Sequence, residues 1–162
     1  AVTDAAYSAL LDLVGGAEAE YGLFTCDMGE NFTACTVEVL SWEDGRWVAL
    51  AEGGLSSVAA ESLRLGVVLS DGKVVINFQD GAGRYSYTPQ VEGMDRSLDP
   101  GRAWMWLEEA QDLVPGERVP LYMEVYDGGS GVEAFSLPGG FSDLDRLSGY
   151  SRAYAVTLTA GQ

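Results

Sequence analysis

The chain has 162 residues and a formal net charge of −16, from 9 Lys+Arg and 25 Asp+Glu, with two cysteines, one lysine and no histidine. Ser-His-Asp and Cys-His catalysis and histidine-ligated metal sites are therefore excluded. Nucleic acid is not an expected partner, because phosphate binding needs clustered basic side chains. Hydrophobic residues make up 47% and charged residues 21%, enough for one packed domain over residues 1–162 and too apolar for wholesale disorder. No apolar run reaches the roughly 20 residues that span a bilayer, so no transmembrane segment is expected. The chain begins at Ala1. The expectation is a mature form whose signal or lipid-anchor segment has been removed.

In chain order, the first periodic segment is Asp4 to Val14. Tyr7, Leu10, Leu11 and Val14 share one helical face, with Asp4 as N-cap and Gly15-Gly16 as the stop. This predicts a short amphipathic helix over 1–16, either docked on a partner surface or the remnant of a stalk. From Glu20 onward the pattern turns to period 2. Strands are expected at 21–26, 33–42, 47–51, 63–70, 73–78, 84–88, 118–126, 132–137 and 151–159. Asp-Gly marks several connections, at Asp44-Gly45, Asp71-Gly72, Asp80-Gly81 and Asp127-Gly128. That dipeptide suits type I′ hairpins, since both residues tolerate positive φ. Many short strands with regular turns predict an all-β fold. The expected form is a two-sheet antiparallel β-sandwich of jelly-roll type, over residues 20–160. One segment reads differently. Asp99-Pro100-Gly101 precedes Ala103, Trp104, Trp106, Leu107, Ala110 and Leu113, which predicts a helix near 100–112 with an irregular strand as the alternative.

A two-residue turn at Asp44-Gly45 places Glu43 opposite Arg46, Trp42 opposite Trp47, Ser41 opposite Val48 and Val39 opposite Leu50. Cys35, Val37, Val39, Val48 and Leu50 then share a core face. Trp42 and Trp47 fall on the other face, where cross-strand side chains come closest. Either the N-terminal helix or a loop covers this pair, or the pair is an exposed aromatic platform; a β-bulge would alter the faces. The turn at Asp71-Gly72 aligns Leu65, Val67 and Leu69 with Phe78, Ile76 and Val74 as a core hairpin. A symmetric turn between Cys26 and Cys35 would put these two residues opposite each other. They are a disulfide candidate, and two reduced, buried apolar residues are the other reading.

Twenty-five acidic residues give no specificity to any nominated carboxylate pair for glycoside hydrolysis. No cofactor is expected. Calcium is the one cation that the loops at Asp80-Gly81-Ala82-Gly83, Asp95 to Asp99 and Asp143-Leu144-Asp145 could take, but none has EF-hand spacing and solvated turn carboxylates are the plainer reading. Aromatic pairs are the remaining functional material. Trp42, Trp47, Trp104 and Trp106 are the candidate ligand-binding residues. Tyr85 with Tyr87, and Tyr122 with Tyr126, each share a strand face, and core packing is the competing reading for every pair.

Phe24-Thr25-Cys26-Asp27 and the run Val37 to Trp47 (VEVLSWEDGRW) resemble the strand, DG-x-W, strand opening of uncharacterised cell-surface lipoproteins from gut-type Gram-positive bacteria. Leu113 to Leu121 (LVPGERVPL) is similar to their L-x-P-G-E-x-V-P-L stretch. Asp143 to Leu147 and Tyr154 to Thr159 are similar to their closing strand. The resemblance implies an exported β-sandwich tethered through a lipid on an upstream cysteine, at the cell surface or outside the cell. It implies no functional residues. The expectation is a non-catalytic surface domain for binding or adhesion, with a glycan or protein ligand. The alternatives are a carbohydrate-binding module with a Trp platform and a hydrolase using two carboxylates.

Overall fold

At Asp44-Gly45 the backbone takes φ of 50° and 80°, the left-handed pair that a two-residue I′ turn needs. In the computed structural model, which describes residues 2–4, 19–58, 61–70, 73–96, 101–133 and 135–162, that turn joins two strands of one sheet. Sheet A contains β1 (Val2–Asp4), β2 (Ala19–Asp27), β5 (Ser62–Ser70), β6 (Lys73–Gln79) and β7 (Arg84–Tyr87), in the order β1-β2-β5-β6-β7. Sheet B contains β3 (Ala34–Glu43), β4 (Arg46–Leu55), β8 (Arg102–Trp106), β9 (Arg118–Tyr126) and β10 (Arg152–Gly161), in the order β4-β3-β10-β9-β8. Every strand pair is antiparallel. The chain changes sheet only after β2, β4 and β7. Hairpins and meanders thus do most of the connecting, in place of the repeated crossings expected for a jelly roll.

The two sheets share one core. Cys26 and Phe24 on β2, Leu63, Leu65, Val67 and Leu69 on β5, and Val74, Ile76 and Phe78 on β6 face Val37 and Val39 on β3 and Val156 and Leu158 on β10. The β5–β6 hairpin has the expected register, with Leu65 opposite Phe78, Val67 opposite Ile76 and Leu69 opposite Val74. Its buried and exposed residues alternate along the strands, as one wet face requires.

Sheet B is different. From Ala153 to Val156 every residue is at most 4% exposed, so β10 is buried on both faces. One face meets sheet A. The other lies under the excursion from Asp127 to Ser151, which carries two short helices, α1 (Gly139–Ser142) and α2 (Leu144–Leu147). A Cβ on Gly140 would sit 3.0 Å from Met123 Cε and 2.9 Å from the Phe135 ring. Met123 therefore points to the excursion while Tyr122 and Glu124, on the alternate face, point to sheet A.

Several expectations need correction. The helix near 100–112 is not formed. Residues 102–106 are a strand paired with Tyr122–Tyr126, because Trp104 and Trp106 have an open edge of β9 to pair with. In place of the strand expected at 132–137, the described residues 132–133 and 135–137 are irregular chain leading towards α1. Its apolar residues Phe135 and Leu137 are buried without the ladder. No N-terminal helix is seen among the described residues. Val2–Asp4 is instead an edge strand, Val2 exchanging backbone hydrogen bonds with Gln111 at 2.8 and 3.0 Å; the rest of the expected helix, residues 1 and 5–16, lies outside the described residues. Asp127-Gly128 opens the excursion instead of a hairpin. A bulge in β4 sets Val39 opposite Ala51 and leaves Leu50 as the extra residue. A second irregularity in β9 falls beside Pro120, where a missing N–H costs the ladder least.

Gly22 lets the sheets approach closely, because any Cβ there would overlap the Trp106 ring. Gly22→Ala is expected to lose about 1–3 kcal/mol of stability, read as a lowered denaturation midpoint with an unchanged urea m-value. An unshifted midpoint would show that Trp106 has room to move.

Candidate functional site

Period-2 alternation puts Tyr21, Leu23 and Thr25 of β2 on the outer face of sheet A, and the register aligns them with the next strands. Thr25 lies opposite Arg64, Arg64 opposite Gln79, and Gln79 opposite Arg84. The next row runs Leu23, Gly66, Asn77, Ser86, and the one after it Tyr21, Val68, Val75. Gly66 stands at the centre, and a Cβ there would meet Leu23 Cδ2 at 3.2 Å and Asn77 Cβ at 3.7 Å. The result is a groove of about 880 Å³ across β2, β5, β6 and β7. The β6–β7 turn that presents Arg84 is held by Asp80, whose Oδ1 accepts the backbone N–H of Ala82 and Gly83 at 2.8 and 3.0 Å.

The tryptophans are not gathered into one site. Trp42 and Trp47 face each other as expected, edge to face with centroids 5.4 Å apart. Phe141 of α1 stacks on Trp47 at 5.0 Å, and the Trp47 indole N–H donates to the Phe141 carbonyl at 3.1 Å. The pair is thus covered by the excursion and half-buried. Trp106 points between the sheets, 4.5 Å from the Tyr122 ring and 6.1 Å from Phe24. Trp104 is 51% exposed, and the Arg102 guanidinium lies 4.7 Å from its ring centre. Tyr85 and Tyr87 are partly exposed on the edge strand β7, whereas Tyr122 and Tyr126 are buried.

Sequence reasoning missed a buried ionic cluster at one end of the sandwich. Glu124 of β9 is fully buried. It accepts hydrogen bonds from Arg96 Nε at 3.0 Å and Arg102 Nε at 2.9 Å. Glu20 of β2 accepts from Arg96 Nη2 at 2.9 Å and also pairs with Arg102. The Tyr122 hydroxyl sits between the two carboxylates, 2.6 Å from Glu20 and 2.9 Å from Glu124. Burial works against charge on both guanidiniums, yet the groups around them outweigh it and hold both above the usual arginine value. Burial, then the Glu124 and Glu20 charges, push the Tyr122 phenol well above its ordinary range. The one legible signal was Glu124 itself, a charge inside the apolar run Val119 to Tyr126. Among the described residues this is a close, largely buried carboxylate pair, and each member is tied to both arginines rather than aimed into a cleft. Glu124→Gln would leave two guanidiniums, 8% and 12% exposed, short of a countercharge. The variant is expected to lose about 3 kcal/mol in chemical denaturation; a loss under 1 kcal/mol would mean water already compensates the site.

Cys26 and Cys35 do not form the expected cross-strand pair. Cys26 lies on β2, between Val2 and Leu63. Cys35 lies on β3 of the other sheet, opposite Leu55 and Ala160. The turn between them crosses from sheet to sheet, so no hairpin register applies. Both are buried free thiols. Burial, with the neighbouring Cys35 charge, pushes the Cys26 thiol up to about 12, and burial raises Cys35 too. Their native reaction with a thiol reagent should therefore stay slow and gain little between pH 7 and 9, although an exposed thiol would accelerate. Alkylation after unfolding without reductant should add two groups. From pH 9, where the unfolded Cys26 ionises, towards 12 the folded state keeps its proton, so this thiol's linkage lowers stability as pH rises.

The turn aspartates serve the backbone. Asp127 Oδ1 accepts from Gly129 and Gly131, and Asp143 Oδ1 caps α2 through the Arg146 N–H. Asp95 pairs with Arg152, and Asp99 lies outside the described residues. Among the described residues no helix is long and apolar enough to cross a membrane. Comparisons with known protein families, curated proteins and solved structures returned no match.

Proposed function

We propose that the chain is a non-catalytic, exported surface domain for binding or adhesion, and that it takes a glycan or protein ligand on the outer face of sheet A. The observation that carries this reading is the groove itself. It is an open surface of about 880 Å³ on a rigid sheet, whose Asn77 and Gln79 carboxamides have no intramolecular partner among the described residues. An amide offers two donors and an acceptor, which suits hydroxyl-bearing or peptide ligands. Unengaged polar groups on fixed strands give orientation at low ordering cost. The surface location rests on the resemblance to cell-surface lipoproteins.

A Trp-platform carbohydrate-binding module is the second reading, and Trp104 alone favours it. Its exposed ring is held by Arg102, which is itself fixed in the ionic cluster. Trp42, Trp47 and Trp106 are engaged in packing and do not support it. Hydrolysis by paired carboxylates finds no support in the Glu20–Glu124 pair, whose oxygens are held by Arg96, Arg102 and Tyr122.

The two binding readings separate in one experiment. A glycan and peptide array identifies a ligand, and isothermal titration compares Asn77→Ala with Trp104→Ala against it. The groove reading expects Asn77→Ala to weaken binding about five- to tenfold with an unchanged melting temperature, and Trp104→Ala to leave affinity intact. The reverse pattern would move the site to Trp104. An array without any ligand would count against both.

A further inference from the structure

The groove has a charge that the rest of the chain does not. The protein carries 25 acidic and 9 basic residues, yet none of the residues lining the groove is Asp or Glu, and two are arginines. The nearest acidic residue on that face, Asp27, lies opposite Ser62, one row beyond Arg64. Five of the eight arginines, Arg96, Arg102, Arg118, Arg146 and Arg152, are paired with carboxylates. Arg46, Arg64 and Arg84 have no such partner among the described residues, and two of those three stand in the groove. In a chain so rich in carboxylates, two arginines without a carboxylate partner among the described residues, gathered in a groove whose lining has no acid, need a reason.

Arg64 and Arg84 lie in the same cross-strand row, separated by Gln79. Two inter-strand spacings put their backbones about 9–10 Å apart. Each guanidinium presents a planar fork that matches a carboxylate bidentately. Between and beside them are uncharged hydrogen-bonding groups, Gln79, Asn77, Thr25 and Ser86. A face that alternates guanidinium and amide fits a chain that alternates carboxylate and hydroxyl.

Resting on the reading of this groove as a ligand site, we propose that its ligand is a carboxylate-bearing glycan, a polysaccharide containing uronic-acid sugars, with Arg64 and Arg84 as the anion-contacting pair. The acid-free lining excludes the repulsion that such a ligand meets elsewhere on this chain. An acidic peptide shares the charge, but its backbone groups either donate or accept, whereas each sugar hydroxyl can do both towards the amides and hydroxyls of the second row. The background charge of −16 repels any polyanion at long range, and salt screens that repulsion together with the attraction. Salt dependence therefore does not diagnose the site, and arginine substitutions do.

The probes are a galacturonic-acid hexamer, the neutral galactose hexamer and poly-L-glutamate of similar length, titrated by calorimetry. Groove contact is read from amide chemical shifts of β5 and β6. The expected result is binding of the galacturonic-acid hexamer at least tenfold tighter than either other probe. Arg64→Ala and Arg84→Ala should each lower that affinity about tenfold, while Arg46→Ala, an unpaired arginine on the other sheet, leaves it unchanged. Retained melting temperatures check folding, and Arg64→Lys should restore part of the affinity. Equal binding of the neutral hexamer, with shifts in the groove, would overturn the anionic class and leave the groove reading standing. Tighter binding of poly-L-glutamate would replace glycan by peptide. Loss of affinity in Arg46→Ala to the same degree would reduce the effect to net charge. No shift in the groove with any probe would overturn this proposal, and the array result decides the broader reading separately.

Discussion

Glu20 and Glu124 carry two negative charges into the space between the sheets, and Arg96 and Arg102 carry two positive ones to meet them. Removing such groups from water costs several kcal/mol per ion, and the cost is recovered only when each partner is met with good geometry. Here both arginines reach both carboxylates, and the Tyr122 hydroxyl lies between the two acids. The residues come from β2 in one sheet, β8 and β9 in the other, and the loop after β7. An apolar interface tolerates small sliding, because its attraction has no direction. These charge-assisted bonds do have direction. Shifting β2 by one residue, about 3.3 Å, would turn Glu20 to the other face of sheet A. The alignment of the two sheets at this end is therefore set by the cluster, and Trp106, which lies against Gly22 and Tyr122, is packed to fit it.

That alignment leaves the two sheets with different outer faces. Sheet B hides part of its outer face under the excursion from Asp127 to Ser151, which brings Phe141 onto Trp47 and Gly140 onto Met123. Small residues at Ala153 and Ala155 let that layer come close. Sheet A has polar residues and a central glycine on its outer face, and there the groove opens. The aromatic material that looked functional in the sequence is largely consumed by the covered side, and the polar material collects on the open side.

Charge follows the same division. Arg96 and Arg102 neutralise buried carboxylates, Arg118 pairs with Glu38 on the outer face of sheet B, and Arg64 and Arg84 face the groove. One residue type thus has three different roles, and no count of arginines distinguishes them.

Much of the architecture was legible because it is local. Asp44-Gly45 demands positive φ at both residues, which sets the register of β3 and β4 up to the bulge. The alternation of Leu65, Val67 and Leu69 against Phe78, Ile76 and Val74 sets β5 against β6 in the same way. Where the partner lay far along the chain, local patterns misled. Trp104 and Trp106 fit a helix until β9 supplied an edge to pair with. Cys26 and Cys35 fit a hairpin until their turn crossed between sheets. Trp42 and Trp47 faced each other as the register required, but their exposure depended on Phe141, ninety-four residues from Trp47. The candidate groove could be read least of all. Its rows join β2, β5, β6 and β7, and the order of strands in a sheet is a free-energy choice among distant contacts that no short stretch of residues encodes.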